Sequence, residues 1–180
     1  MLKKIAAVAL LVGLALPYGC EFRPLTNSWE NVASAIMYGI PVLVAIAYAL
    51  HQLVPALARF HERNGPALHG VFRAVCLMLV GVYVGVAVGD DAESRDRIAV
   101  AVSFVVTAGL LYWQQGRGTK AQRLPLLLLT VVGVGEAFAF ARYVGDGLAY
   151  GGWGFTAAWL VAVIAEVSGL QGAARVEHGG

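Results

Sequence analysis

Charge is what this chain has least of. Asp, Glu, Lys and Arg supply 13% of its 180 residues, against about a quarter in an average soluble domain. With 59% of the residues apolar, there are too few polar side chains to coat a water-soluble globule, and no stretch is left over for a separate soluble domain. The whole of 1–180 therefore reads as a single integral membrane domain. Cysteine is nearly absent as well: Cys20 and Cys76 lie in a loop and mid-span, at different depths, so they build no disulfide framework. A formal net charge of +2, with the basic residues dispersed among loops, gives no footprint for nucleic acid. Ser-His-Asp, HExxH and Gly-rich phosphate patterns are missing, so hydrolysis and nucleotide chemistry have no residues to rest on. There is no internal repeat, and no pair of broken helices that would mark an inverted-repeat transporter.

What fills the chain is six apolar runs: Ile5–Tyr18, Val32–Leu57, Leu68–Gly89, Ile98–Trp113, Leu124–Val144 and Leu148–Leu170. A crossing needs about 20 residues at a rise of roughly 1.5 Å each. The first and fourth are short, but the fourth ends on Tyr112 and Trp113, an aromatic pair suited to the headgroup region. The expected fold is thus an all-α, up-and-down antiparallel bundle of about six spans, its neighbours set side by side by short loops. Alternate loops carry the positive charge. Lys3, Lys4, Arg59, Arg63, Arg117, Lys120, Arg123 and Arg175 fall on one side, while Arg23, Arg95 and Arg97 fall on the other. By the positive-inside rule both termini face the cytoplasm. Asp90, Asp91, Glu93 and Asp96 then lie outside, and Trp29, Tyr143, Tyr150 and Trp153 mark the outer interface.

The first run has a second reading. Lys3-Lys4 followed by the apolar run Ile5–Leu16 has the n- and h-regions of a signal peptide, so 1–19 is either the first transmembrane helix or a signal segment. In the latter case Cys20, after Gly19, is the candidate for lipidation. Removal of the segment would leave five spans.

Packing is signalled by Gly81, Gly85 and Gly89, which recur every fourth residue along one face of the third span and admit another backbone closely. The partner is a helix of the same chain, the favoured reading, or of another copy, and Gly133 and Gly135 are a weaker instance. Pro41 should kink the second span, and Pro66 and Pro125 suit helix starts.

Few polar residues enter the spans. Glu136 lies near the middle of the fifth, where an ionised acid costs on the order of 3 kcal/mol or more, so it should face the bundle. Thr107, Tyr83 and Tyr38 lie at similar depth on other spans as candidate partners. Glu136 is either a proton carrier or ion ligand on a transport path, or a protonated acid joining helices by hydrogen bonds. Arg73 and Glu166, each about one turn inside the basic side, either pair or snorkel to the interface. Arg142 has Asp146 four residues on as a local partner. His51 and His69 stand symmetrically about Phe60 in the turn between the second and third spans, and two such imidazoles could ligate a b-type haem or a metal; His61 and Glu62 lie in the same turn and could join a metal site.

The expectation that results is an inner-membrane protein of a bacterium, a non-catalytic subunit of a membrane complex or a small transport-type protein without a cofactor. Its partners would be the bilayer and other membrane subunits or further copies of itself. A haem b-binding electron-transfer subunit using His51 and His69 is the alternative.

Overall fold

The computed structural model describes residues 1–18, 23–29, 32–89, 93–115, 117–144 and 147–178. Cys20, Asp90, Asp91 and Asp146, singled out above, lie outside them. The described residues contain helices and no strand: α1 (Leu2–Ala15), α2 (Pro24–Asn27), α3 (Val32–Ser34), which runs through a π turn at Ala35–Gly39 into α4 (Ile40–Leu53), then α5 (Pro55–Val88), α6 (Ser94–Gln114), α7 (Lys120–Tyr143) and α8 (Tyr150–His178). Five helical stretches, Ala35–Leu53, Pro55–Val88, Ser94–Gln114, Lys120–Tyr143 and Tyr150–Gln171, are long and apolar enough to cross a membrane. The sixth expected span is α1, whose 14 residues give about 21 Å at 1.5 Å per residue, short of a roughly 30 Å hydrocarbon layer.

α7 is the axis of the bundle. It packs against α4, α5, α6 and α8, while α1 lies against α8 and α4. Every residue from Leu124 to Ala139 is buried, so α7 has no lipid-facing stripe, the mark of a central helix. Its N-terminus is fixed locally. Thr119 and Gln122 form a reciprocal capping box, which satisfies two end N–H groups at once. The turn before it depends on Gly118, whose φ of +64° is accessible to glycine at no steric cost. Arg123 donates from Nε and Nη2 to the Gly118 carbonyl. At the start of α6, Glu93 and Asp96 cap in the same reciprocal way.

The break between the second and third apolar runs is not where charge suggested. Arg59, Phe60, His61, Glu62 and Arg63 are helical, inside the 34-residue α5, and the chain turns at Val54 alone, in an extended conformation with Pro55 behind it. A proline drives the preceding residue out of the helical region and itself fits a first helical position, so Val54-Pro55 ends one helix and opens the next. Pro66 and Pro125, expected at helix starts, both stand inside helices. Pro41 follows the π turn directly, a wider turn of the kind that absorbs the missing N–H and the ring's bulk.

The glycine row is corrected too. A Cβ placed on Gly81 or Gly85 meets nothing within 4 Å, and on Gly89 only backbone of its own helix. The close helix contacts are elsewhere: a Cβ on Gly135 would lie 2.6 Å from the Pro41 ring, on Gly133 2.5 Å from the Trp159 ring, and on Gly65 2.6 Å from the Ala121 methyl. The Trp159 indole also donates to the Leu129 carbonyl at 2.9 Å, which pins α8 to α7.

Candidate functional site

Glu136 is 3% exposed and points into the bundle, as its depth demanded, but its partners are not those expected. Thr107 bonds back to the Ser103 carbonyl at 2.7 Å, the arrangement by which helical hydroxyls satisfy themselves. Ser103 in turn donates to the Val134 carbonyl on α7. Tyr83 donates to the Met37 carbonyl and stacks on Phe138 with centroids 4.6 Å apart. The groups on Glu136 are Tyr18, whose hydroxyl donates to Oε1 at 2.9 Å, and Thr156 of α8, whose hydroxyl contacts the same oxygen. Tyr18 lies just beyond α1, where its carbonyl accepts from the Ala149 N–H at 3.0 Å. That bond ties the end of the first segment to the start of α8.

The Thr156 hydroxyl sits between two acceptors, Glu136 and the Gly152 carbonyl at 2.9 Å. One hydroxyl hydrogen serves one of them. With Glu136 ionised, Thr156 donates to the carboxylate; with Glu136 protonated, the carboxyl can donate to Thr156 while Thr156 donates to Gly152. Both protonation states are therefore satisfied without moving a helix.

Beside the carboxyl lies a cavity of about 40 Å³, lined among others by Tyr18, Ser28, Tyr38, Pro41, Glu136 and Phe155. A cavity needs on the order of 10–15 Å³ by this measure to hold a water, so there is room for at least one. Ser28 is fully buried, and its Oγ has no hydrogen-bond partner among the described residues. Buried hydroxyls without partners are uncommon and costly. Here the unpartnered hydroxyl belongs to a residue that lines the same cavity as the acid.

A second polar cluster surrounds Glu166, also 3% exposed. It accepts from Lys3 at 2.7 Å, Gln52 at 2.9 Å and Tyr48 at 3.2 Å. Arg73 is not among its partners. Tyr48 and Gln52 stand four apart on α4 and so share a face, and Lys3 brings α1 to the same point. At the outer end Arg142 bonds Asp96 of α6 at 2.8 Å; Asp146, its expected local partner, lies outside the described residues.

The histidines regroup because the turn moved. His51 faces His61, with Nδ1 to Nδ1 at 3.0 Å and the rings stacked 5.0 Å apart. One Nδ1 must carry a hydrogen and the other must accept it, so this contact does not survive protonation of both rings. His69 lies instead in a pocket with Arg73, Leu111, Gln114, Gln115 and Arg123. The structure thus does not place His51 and His69 on one site, and among the described residues no three His, Cys, Asp or Glu side chains converge as metal ligands.

Sequence reasoning found the acid and missed its shell. Tyr18 ends the first apolar run and Thr156 lies within the sixth, and hydroxyls in an apolar run carry no directional signal until the helices are placed. The Tyr48 and Gln52 spacing was a legible sign of a polar face at the basic end of the second span. Compared with protein-family models, with curated proteins and with solved structures, the chain matches none.

Proposed function

We propose that this chain is an integral membrane protein of small transport type, in which Glu136 takes up and releases a proton from the adjoining cavity. The observation that carries the reading is the joint placement of a buried carboxyl, a hydroxyl relay able to satisfy it in either protonation state, and a water-sized cavity bordered by an unpartnered hydroxyl. An ionisable group inside the membrane that faces the bundle interior rather than lipid is a functional-site hypothesis by default. The competing role is interhelical glue, in which Glu136 only joins the segment after α1 to α7 and α8.

Glu136→Gln separates the two. It keeps shape and hydrogen-bonding capacity but does not ionise. In proteoliposomes with an imposed pH gradient and the potential clamped, the parent should dissipate the gradient and Glu136→Gln should not, with unchanged unfolding in detergent. Equal flux in both, or none above protein-free vesicles in either, leaves the glue role and removes the transport reading.

The same reading places the protein in a bacterial inner membrane with both termini cytoplasmic, on the loop charges, and keeps α1 as part of the bundle. Support for the latter is its buried face of Ala6, Ala7, Leu10 and Leu14 and the Lys3–Glu166 bond. Single cysteines should be labelled from outside at Arg95 and not at Arg117; the opposite result reverses the orientation. Association with another membrane subunit or a second copy belongs to this proposal through the open Gly81 and Gly85 face of α5.

A further inference from the structure

Arg73 is a cation in an otherwise apolar stretch of α5, and it makes no hydrogen bond or ion pair among the described residues. Around it the fold gathers further donors and no acid. The pocket walls are His69 and Arg73 from α5, Leu111 and Gln114 from α6, Gln115 just beyond it, and Arg123 from α7. Arg123 spends Nε and Nη2 on the Gly118 carbonyl, which orients its guanidinium and leaves Nη1 without a bond among the described residues. The charges of Arg73, Lys120 and Arg123 all act on His69. Like charges crowded at one place, with no carboxylate among the described residues that line it, call for an anion. Depth says which one: Tyr112, 78% exposed, and Trp113, capped by the Arg117 guanidinium 4.2 Å above its ring, close α6 at the same end, and such aromatics sit at headgroup level.

We propose that this pocket binds the phosphate of an anionic phospholipid headgroup, with Arg73 and Arg123 as its charged donors, His69 and Gln115 as further polar contacts, and the acyl chains lying along the exposed faces of α5 and α6. Guanidinium forks match phosphate oxygens, and basic pockets between membrane helices are the recurring form of such sites. Leu111 supplies the apolar floor where headgroup gives way to chain. The inference rests on the membrane reading, which cysteine labelling tests separately.

Delipidated protein in detergent, offered phosphatidylglycerol and phosphatidylcholine at equal concentration, should retain the first in preference when adducts are counted by native mass spectrometry. Each cation engaged near a membrane surface is worth about fivefold in binding, so Arg73→Gln should lower the preference by about that factor, and Arg73→Lys should restore part of it. Arg73 is itself exposed, so neither change disturbs the core; His69→Gln provides an independent variant with the same expected direction. Equal retention of the two lipids by the parent, or an unchanged preference in Arg73→Gln, overturns the proposal. So does a third outcome, in which millimolar inorganic phosphate stabilises the parent through Arg73 while the lipids are not distinguished, for the site would then be one for free phosphate.

Discussion

Gly135→Leu is expected to cost the fold about 3 kcal/mol, at the upper end of what overpacking a tight contact costs, while Gly85→Leu leaves the isolated chain nearly unchanged. At Gly135 even a Cβ would stand 2.6 Å from the Pro41 ring. The ring has no alternative rotamer to retreat into, and α4 is packed against α7. The neighbour along the chain is Glu136, so pushing α4 away also opens the cavity. At Gly85 the added side chain enters open space. Unfolding midpoints of both variants in detergent, read against the parent, decide the matter. A loss at Gly85 comparable to that at Gly135 would mean that a helix of another copy occupies the Gly85 face, since nothing among the described residues of this chain comes within 4 Å of a Cβ there.

Glu166→Leu is expected to cost about 2–3 kcal/mol. Three donors from two helices, Lys3, Tyr48 and Gln52, converge on this one carboxyl. Removing it strands them, and hydrogen bonds to a charged partner are worth about 1.5–3 kcal/mol when the partner group stays buried. Lys3 is 39% exposed and recovers part of its hydration, so the loss falls chiefly on Tyr48, which is fully buried, and on Gln52. Glu166→Gln should lose less, because its one amide oxygen still accepts from Tyr48 and Gln52, while its NH2 group cannot accept from Lys3, which turns to water. The change should also loosen α1 from α4 and α8, seen as faster maleimide labelling of an Ala7→Cys probe, a position now fully buried. Unaltered labelling with unaltered stability would show that the apolar face of α1 holds it without the ion pair.

The difference between Gly85 and Gly135 also shows what a membrane sequence conceals. In water, the apolar stripe of a helix names its buried face; in lipid, apolar residues face protein and bilayer alike. The row of Gly81, Gly85 and Gly89 was the most regular pattern in the chain, yet regularity along one helix says nothing of whether a neighbour comes to that face. The weaker instance, Gly133 and Gly135, and the lone Gly65 stand at close crossings instead, because each answers one group arriving from another helix: Trp159, Pro41 and Ala121.

The sequence by itself determined the helical class and the long apolar helices, because continuous apolar runs of this length satisfy their backbone in lipid as helices, whereas barrel strands need alternation. It also determined the inward direction of Glu136, since a carboxyl at mid-span is penalised on every other face. Only the tertiary structure decided the partners. Which hydroxyl meets Glu136, which cation meets Glu166 and which imidazole meets His51 depend on the rotation and depth of separate helices. That rotation was set by contacts far apart in the chain, and the depth was shifted by a turn that a single pair, Val54-Pro55, moved away from the charged residues expected to form it.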